Sequence, residues 1–513
     1  MKSCAGGVRP ALALFALVLA GVVATAKPPD PAVVDEILKE TLKTWKAPGI
    51  AVAIVKDDKV VYLKGVGLRE RGGSDAVTAD TLFAIGSCTK AFTATALAIL
   101  VDEGKADWDD LVRKHLPSFR LADPLADHDV RLRDLLCHRI GLARHDLLWY
   151  RAPWSVEESV RRMAFLERSS SFRSKYEYNN LAYLAAGLAI SSAAKKPWDE
   201  FVRERLLIPL KMNNVVFTSA AARKACDHAS PHGHAANGNV VVLPWDGDDT
   251  QIRASGSMKA SARDMSQWLR FQLARDKFRG KDGKPLVSAD ALEETRTPHT
   301  VVPLTAADRA AGTRLSSYGL GWHITDYRGH ALHEHGGAVD GFRARIILVP
   351  KQKLGLVLLT NLEDREIVNA AGNNLLDRLL GLEKKDWDTF FTKERQKAQA
   401  ARQERLRKRP MPVRGTKPSR ELEAYVGTYT EPAYGTVKIS RQDENLVLKW
   451  SSFQFPLKHF HYDTFVMPPK NLRLPASLAE EFAVFELNED AEISIVRFLG
   501  RKFTRDQPRK NDP

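Results

Sequence analysis

The sequence predicts an α/β protein of the α+β kind: a mainly antiparallel sheet flanked by helices, with an all-helical subdomain, followed by a small all-β, barrel-like domain. Three observations carry this. Strand patterns stand at both ends of the stretch from Lys27 to Leu382, with helical periodicity filling the middle. The late strands are joined by turns such as Pro350 to Lys353, too short for a parallel crossover. Beyond a basic stretch, the chain changes to short alternating segments separated by turn residues. At 513 residues, 44% hydrophobic and 27% charged, the chain has the balance of a folded protein of two or three domains.

Taken in order, the amino terminus "MKSCAGGVRPALALFALVLAGVVATAKPPD" has Lys2 and Arg9, an apolar run, then Ala24-Thr25-Ala26. That is the layout of a signal peptide cleaved after Ala26, and the apolar run is shorter than the ~20 residues a spanning helix needs. Cys4 precedes the run and is badly placed for lipidation. A periplasmic or secreted protein is expected. "GIAVAIVKDDKVVYLKGVG" reads as two strands around an Asp57-Asp58 turn, and helical patterns run from Thr89 to about Leu210. The strands "YGLGWHI", "GFRARIILVP" and "KLGLVLLTN" precede a closing helix, "EIVNAAGNNLLDRLLGL". The expected divisions are a signal peptide (1–26), a main domain (27–382), a basic linker (383–419), a small β domain (420–503) and a tail (504–513).

The formal charge of +14 raises the question of a polyanionic partner. Thirteen Lys or Arg against four Asp or Glu lie between Lys384 and Arg420, so most of the excess sits in the linker and nucleic acid is not an expected partner. "KERQKAQAARQERLRKRP" lacks an apolar stripe and reads as a solvated linker helix, which also suits peripheral contact with an anionic envelope surface. Oligomeric state is not legible. Cys88, Cys137 and Cys226 remain after cleavage, an odd number that implies no disulfide framework.

The candidate chemistry begins in "FAIGSCTKAFTATALAILVDEGK". Ser87 and Lys90 lie three apart at the start of an apolar helix, so they share a face. A serine there is commonly only an N-cap. The helix's positive end would also favour negative charge developing near Ser87, and a buried Lys90 with a lowered pKa could take its proton. Ser192 and Lys195 repeat the spacing but close a helix, where that field is absent. "KYEYNNLAYLAAGL" holds Tyr178-Asn179-Asn180 before a helix, and "ALHEHGGAVDGFRARIILVP" holds His335-Gly336-Gly337 on a strand. The two glycines would let an exposed edge approach a substrate backbone while an amide donor points inward.

With these three motifs in this order, the chain resembles the serine β-lactamase and penicillin-recognising hydrolase superfamily, in particular its class C β-lactamase-like branch with its DD-carboxypeptidases, D-aminopeptidases and esterases. "LVRKHLPSF", "RDLLCHRIGL", "IPLKMNN", "ASGSMKASARDMSQW" and "VLLTN" look like further landmarks of that fold, and 420–503 is similar to a small β-barrel domain appended to such hydrolases. The resemblance implies Ser87 as nucleophile, Lys90 and Tyr178 sharing proton transfer with either as base, Asn180 on the substrate amide, and His335, Gly336 and Gly337 on the substrate. His335 would steady Tyr178 and the substrate carboxylate, and the backbone N–H groups of Ser87 and Ala338 would form the oxyanion hole. It implies no cofactor. The expected activity is an exported serine hydrolase acting through an acyl-serine on amide, D-amino-acid-containing peptide or ester bonds. A true β-lactamase is the alternative, and a non-catalytic envelope-binding protein the rival class. His335 replaces the lysine of many β-lactamases of the branch, "SSSFRSKYEY" lacks the usual Pro-Gly, and "LLCHRIGL" replaces a Ser/Thr-containing stretch.

A metal site is the competing chemistry. His333 and His335 would share one side of a strand, and Cys226, His228, His232 and His234 crowd another segment, but neither group has a ligand spacing with a second half-site, so no metal is expected. His459 and His461 read as packing residues of the small β domain.

Overall fold

The computed structural model describes residues 30–506 apart from 236, 246–249, 275–276, 281–282 and 468–480. The expected leader with its cleavage site at Ala26, and the tail from 507 on, lie outside the described residues.

Helix α1 (Pro31–Trp45) opens with Asp30 as N-cap, its carboxylate accepting from the Ala32 N–H, and with proline in the first turn, where a missing N–H costs nothing. Strands β1 (Gly49–Lys56) and β2 (Lys59–Gly67) follow as a hairpin. Its turn residues Asp57 and Asp58 both have positive φ, 50° and 63°, the twist that joins adjacent antiparallel strands tightly. β1 is buried along its whole length. Ile50, Val52 and Ile54 face α1, whereas Ala51, Ala53 and Val55 face the other core, which explains a continuous apolar run in place of alternation.

Helices α2 (Thr89–Asp102), α3 (Asn180–Ala194) and α4 (Ala262–Ala274) belong to the helical middle of the chain. α2 is buried on every side from Thr89 to Leu100, and Phe92 stacks on Trp268 of α4 with ring centroids 3.7 Å apart. α3 is capped by Asn179, whose side chain accepts from the Ala182 N–H at 3.0 Å. Strands β3 (Thr300–Val301), β4 (Ser316–Tyr318), β5 (His323–Tyr327), β6 (His330–Val339), β7 (Phe342–Val349) and β8 (Leu354–Thr360) complete one sheet in the order β2-β1-β8-β7-β6-β5-β4-β3. Its described ladders are antiparallel, and β1 meets β8 with Ile50 opposite Thr360. Helix α5 (Arg365–Leu379) closes the layer over α1. The expected fold class is therefore the observed one.

The basic stretch forms α6 (Trp387–Arg407), anchored over its first half: the Trp387 indole donates to Asp377 at 2.8 Å, the Trp45 indole to Asp388 at 2.7 Å, and Arg395 pairs with Asp364 at 2.7 Å. Beyond it, β9 (Gly427–Glu431), β10 (Gly435–Gln442), β11 (Asn445–Trp450), β12 (Phe453–His461), β13 (Thr464–Val466), β14 (Phe482–Leu487), β15 (Ile493–Phe498) and β16 (Arg501–Arg505) form a closed barrel in chain order. Tyr429 of β9 pairs with Arg505 of β16, so no edge is left open. Val437, Ile439, Leu448, Trp450, Phe455 and Phe503 fill its interior.

The barrel rests on the helical middle. Arg162 donates to the Ala433 carbonyl at 2.9 Å, the Ser452 hydroxyl to the Arg151 carbonyl at 2.7 Å, and the Tyr434 hydroxyl meets His145 Nδ1 at 2.9 Å.

Candidate active site

From residue 81 to residue 100, every side chain is buried except that of Ser87. It sits in a single 3₁₀ turn, Gly86–Cys88, between a two-residue strand and α2. Gly86 has φ 50°, and a Cβ there would lie 2.6 Å from the Ala338 backbone nitrogen, so only glycine lets this turn press against β6. Lys90 enters from the first turn of α2 and Tyr178 from the residues ahead of α3. The Tyr178 hydroxyl donates to Ser87 Oγ at 2.7 Å, and Lys90 Nζ lies 3.3 Å from the same oxygen.

Lys90 Nζ also donates to Asn180 Oδ1 and to the Ser255 carbonyl, each at 2.7 Å. Complete burial holds its pKa well below the usual lysine value, and the nearby Arg144 guanidinium acts in the same direction. A neutral amine has two N–H bonds and one lone pair. With both N–H groups spent on Asn180 and Ser255, the lone pair is left for the Ser87 hydroxyl. Burial raises the Tyr178 phenol, which is therefore a donor at neutral pH.

Asn180 does not present a free amide: Oδ1 holds Lys90, and Nδ2 donates to Asp146 Oδ1 at 2.8 Å. His335 is 2% exposed, and both of its ring nitrogens have partners. Its Nδ1–H donates to the Gly336 carbonyl at 2.7 Å, so Nε2 accepts from the Tyr318 hydroxyl at 2.8 Å. Burial keeps this imidazole uncharged. Cys88 is a packing residue: its thiol donates to the His335 carbonyl at 3.3 Å, and burial pushes its pKa up to about 12.

Gly337 explains how β6 reaches the serine. A Cβ there would stand 1.9 Å from the Ile85 carbonyl, whereas at Gly336 the nearest atom would be 3.9 Å away. β5 pairs with β6 only from His330 to Glu334, so beyond that point the edge of β6 is free of a strand partner and runs past the Ser87 turn. The Ala338 amide nitrogen is thereby brought against the Ser87 turn.

Four residues that the sequence reading left without a role join the site. His138, at φ 59°, accepts the Asn179 N–H on Nδ1 at 3.1 Å and packs its ring 4.3 Å from that of Tyr178. Tyr318 holds His335. Arg144 lies over the Tyr178 ring, 4.9 Å from its centroid, and Asp146 accepts from Asn180, from the Trp149 indole and from Arg144. The only sequence signal was the charge cluster "ARHD" after Gly141, which looks like a solvated loop.

The remaining candidates lie elsewhere. Ser192 is exposed at the far end of α3, followed by Lys195 as its C-cap at φ 51°. His232 spends both nitrogens on backbone, the Asn361 carbonyl and the Arg71 N–H. Cys226 is exposed. Among the described residues no group of three or more His, Cys, Asp and Glu side chains is arranged to hold a metal ion.

Comparison with known proteins agrees with this geometry. Residues 34–379 match the Beta-lactamase family model, and residues 411–507 match the domain of unknown function DUF3471. The unguisins hydrolase ungD' of Aspergillus campestris is 29% identical over 436 residues, covering 80% of this chain and 78% of the relative. Among solved structures, the octameric penicillin-binding protein homologue from Pyrococcus abyssi is similar with a TM-score of 0.62 and 22% identity, covering 93% of this chain and 99% of that one. A D-amino acid amidase from Ochrobactrum anthropi SV3 has a TM-score of 0.55 and 22% identity, covering 68% of this chain and 97% of that one. At these identities the two structures speak for the fold. The family match spans about two thirds of the chain and includes Ser87, Lys90, Tyr178 and the free edge of β6: the chain belongs to the β-lactamase family of serine hydrolases, with a DUF3471 domain following the hydrolase domain.

Proposed function

We propose that this is an exported hydrolase that forms an acyl-enzyme at Ser87 and acts on amide or peptide bonds next to D-amino acids, and on small esters. The observation that carries the reading is the pair of contacts on Ser87 Oγ, with a donating Tyr178 hydroxyl at 2.7 Å and the fully buried Lys90 Nζ at 3.3 Å.

In this mechanism Lys90 is the general base. As Ser87 Oγ adds to the carbonyl carbon, its proton passes to the Lys90 lone pair, and the Ser87 and Ala338 amides take the charge that develops on the carbonyl oxygen. The proton then moves from Lys90 by way of the Tyr178 hydroxyl to the leaving nitrogen as the C–N bond breaks. Water enters, gives a proton to Lys90 and adds to the acyl carbon, and that proton passes from Lys90 to Ser87 Oγ as the C–O bond breaks, releasing the acid and regenerating both residues. The D-amino-acid preference draws on the amidase fold likeness and on a neutral His335 in place of a lysine. Export draws on the leader-like first 26 residues.

The test is incubation of purified protein with a fluorophosphonate and a fluorescent penicillin, followed by mass mapping, alongside hydrolysis of D-alanyl amides and a nitrophenyl ester. Adducts at Ser87 with slow penicillin release are expected; rapid release makes the protein a β-lactamase. Ser87→Ala should lower ester hydrolysis by at least ~10³-fold with the fold intact, and Ser192→Ala should leave it unchanged. Absence of any Ser87 adduct in folded protein removes the reading.

A further inference from the structure

Among its contacts with the hydrolase domain, the barrel touches a loop that reaches both partners of Ser87. His145 takes the left-handed conformation, φ 41°, a region that His, Asn and Asp enter more readily than other non-glycine residues, and it turns the chain sharply between Arg144 and Asp146. Its ring nitrogen Nδ1 meets the hydroxyl of Tyr434 at 2.9 Å. The neighbours of His145 in sequence are the two charges of the site. Asp146 holds the amide of Asn180, which holds Lys90; Arg144 lies over the ring of Tyr178.

Tyr434 is itself fixed. Its backbone N–H donates to the Glu431 carboxylate, its carbonyl accepts from the Trp450 indole at 2.8 Å, and its ring stacks on Trp450 with centroids 5.9 Å apart. Arg162 and Arg501 clamp the same corner, donating to the Ala433 carbonyl at 2.9 Å and to Glu431 respectively. A barrel corner fixed by these contacts therefore grips the middle of a three-residue loop, one end of which holds Asn180, the support of Lys90, while the other lies on the Tyr178 ring.

We infer that the appended barrel is part of the catalytic apparatus, with Tyr434 a positioning residue that, through His145, sets Asp146 and Arg144 and hence the placement of Lys90 and Tyr178 on Ser87. The inference rests on the acyl-serine reading. It gives the DUF3471 domain a task inside the hydrolytic cycle, distinct from binding a separate partner.

The groups facing Lys90 are Cys88, His138, Tyr178, Tyr183, His335, Arg144 and Asp146. Only Arg144 and Asp146 ride on the loop. Loosening it lets water reach the amine and removes both the cation that opposes its protonation and the anion that favours it, and of these two charges Arg144 has the larger effect. The Lys90 ammonium then forms at higher pH, and the acid limb of kcat/KM moves to higher pH.

The experiment is Tyr434→Phe in the full chain, which removes one hydroxyl and keeps the ring stack. A fall in kcat of about 10–100-fold is expected, with KM changed less than about threefold, the acid limb displaced upward and thermal unfolding near that of wild type. His145→Ala should do the same, and the double variant should be no worse than either single. Tyr434→Phe with unaltered kcat and pH profile overturns the inference, as does a loss of activity that only follows loss of folded protein. Both results are read beside the fluorophosphonate adduct of the wild type. Its absence at Ser87 discards the acyl-serine reading itself; its presence with an indifferent Tyr434→Phe discards the barrel's role alone.

Discussion

Lys90 is buried among groups that disagree about its charge. Desolvation and Arg144 oppose the ammonium; Asp146 and Cys88 favour it, and the first effect is the largest. The base is competent while neutral, so activity falls as the pH drops through the lysine's depressed pKa. Arg144→Gln removes a repelling cation, and the acid limb of the pH profile of kcat/KM should move to higher pH. Asp146→Asn removes an attracting anion, and the limb should move to lower pH. Displacement of both limbs in one direction would show that the loop acts on Lys90 by shape and not by charge. The lysine and the serine were legible in the sequence because the chemistry needs those residue types on one helical face. The residues that tune them were not: Asp146 lies 56 positions from Lys90 in the chain, and nothing in "ARHD" distinguishes a carboxylate that faces Asn180 from one that faces water. His335 shows the same limit, since its tautomer depends on Tyr318 and on its neighbour's carbonyl.

Among the elements, β6 and the Ser87 turn are the pair on which the oxyanion donors depend. Their contact is close enough to discriminate between adjacent glycines. Gly337→Ala puts a methyl into the Ile85 carbonyl, so the strand or the turn has to move. A loss of about 2–4 kcal/mol in urea unfolding is expected, together with loss of most esterase activity. Gly336→Ala meets only ordinary van der Waals contact with the Ala344 carbonyl, and a change within about 1 kcal/mol is expected. Equal effects at the two positions would contradict the packing. The sheet itself was largely readable, because β1 and β8 are buried on both faces and run as unbroken apolar segments, and because the turns are too short for crossovers. The split of "WDEFVRERLLIPL" into an α-turn, Trp198–Val202, and a π-turn, Arg203–Leu207, was not readable, since the same residues suit one continuous helix.

For the molecule as a whole, two closures span long stretches of chain. β1 finds its partner β8 some 300 residues later, and the barrel closes only when β16 reaches β9. Contacts so distant in sequence slow folding and make each unit cooperative. The sequence marked both units by their change of composition, but it held no sign of the corner at which they meet, because Tyr434, Arg162 and His145 are individually ordinary residues. Deleting residues 411–507 should leave a folded sheet domain with kcat reduced by about 10-fold or more, measured on a nitrophenyl ester with circular dichroism as the control. Undiminished turnover in that shortened protein would separate the barrel from catalysis.

Barrel closure also fixes when the hydrolase can first work. A chain still emerging during synthesis, with Ser87, Lys90 and Tyr178 already made, lacks the last strand, whose Arg501 fixes Glu431 and through it Tyr434. Its nucleophile would remain poorly armed until Arg501–Arg505 is in place, so turnover reaches its full rate only after that strand has joined the barrel.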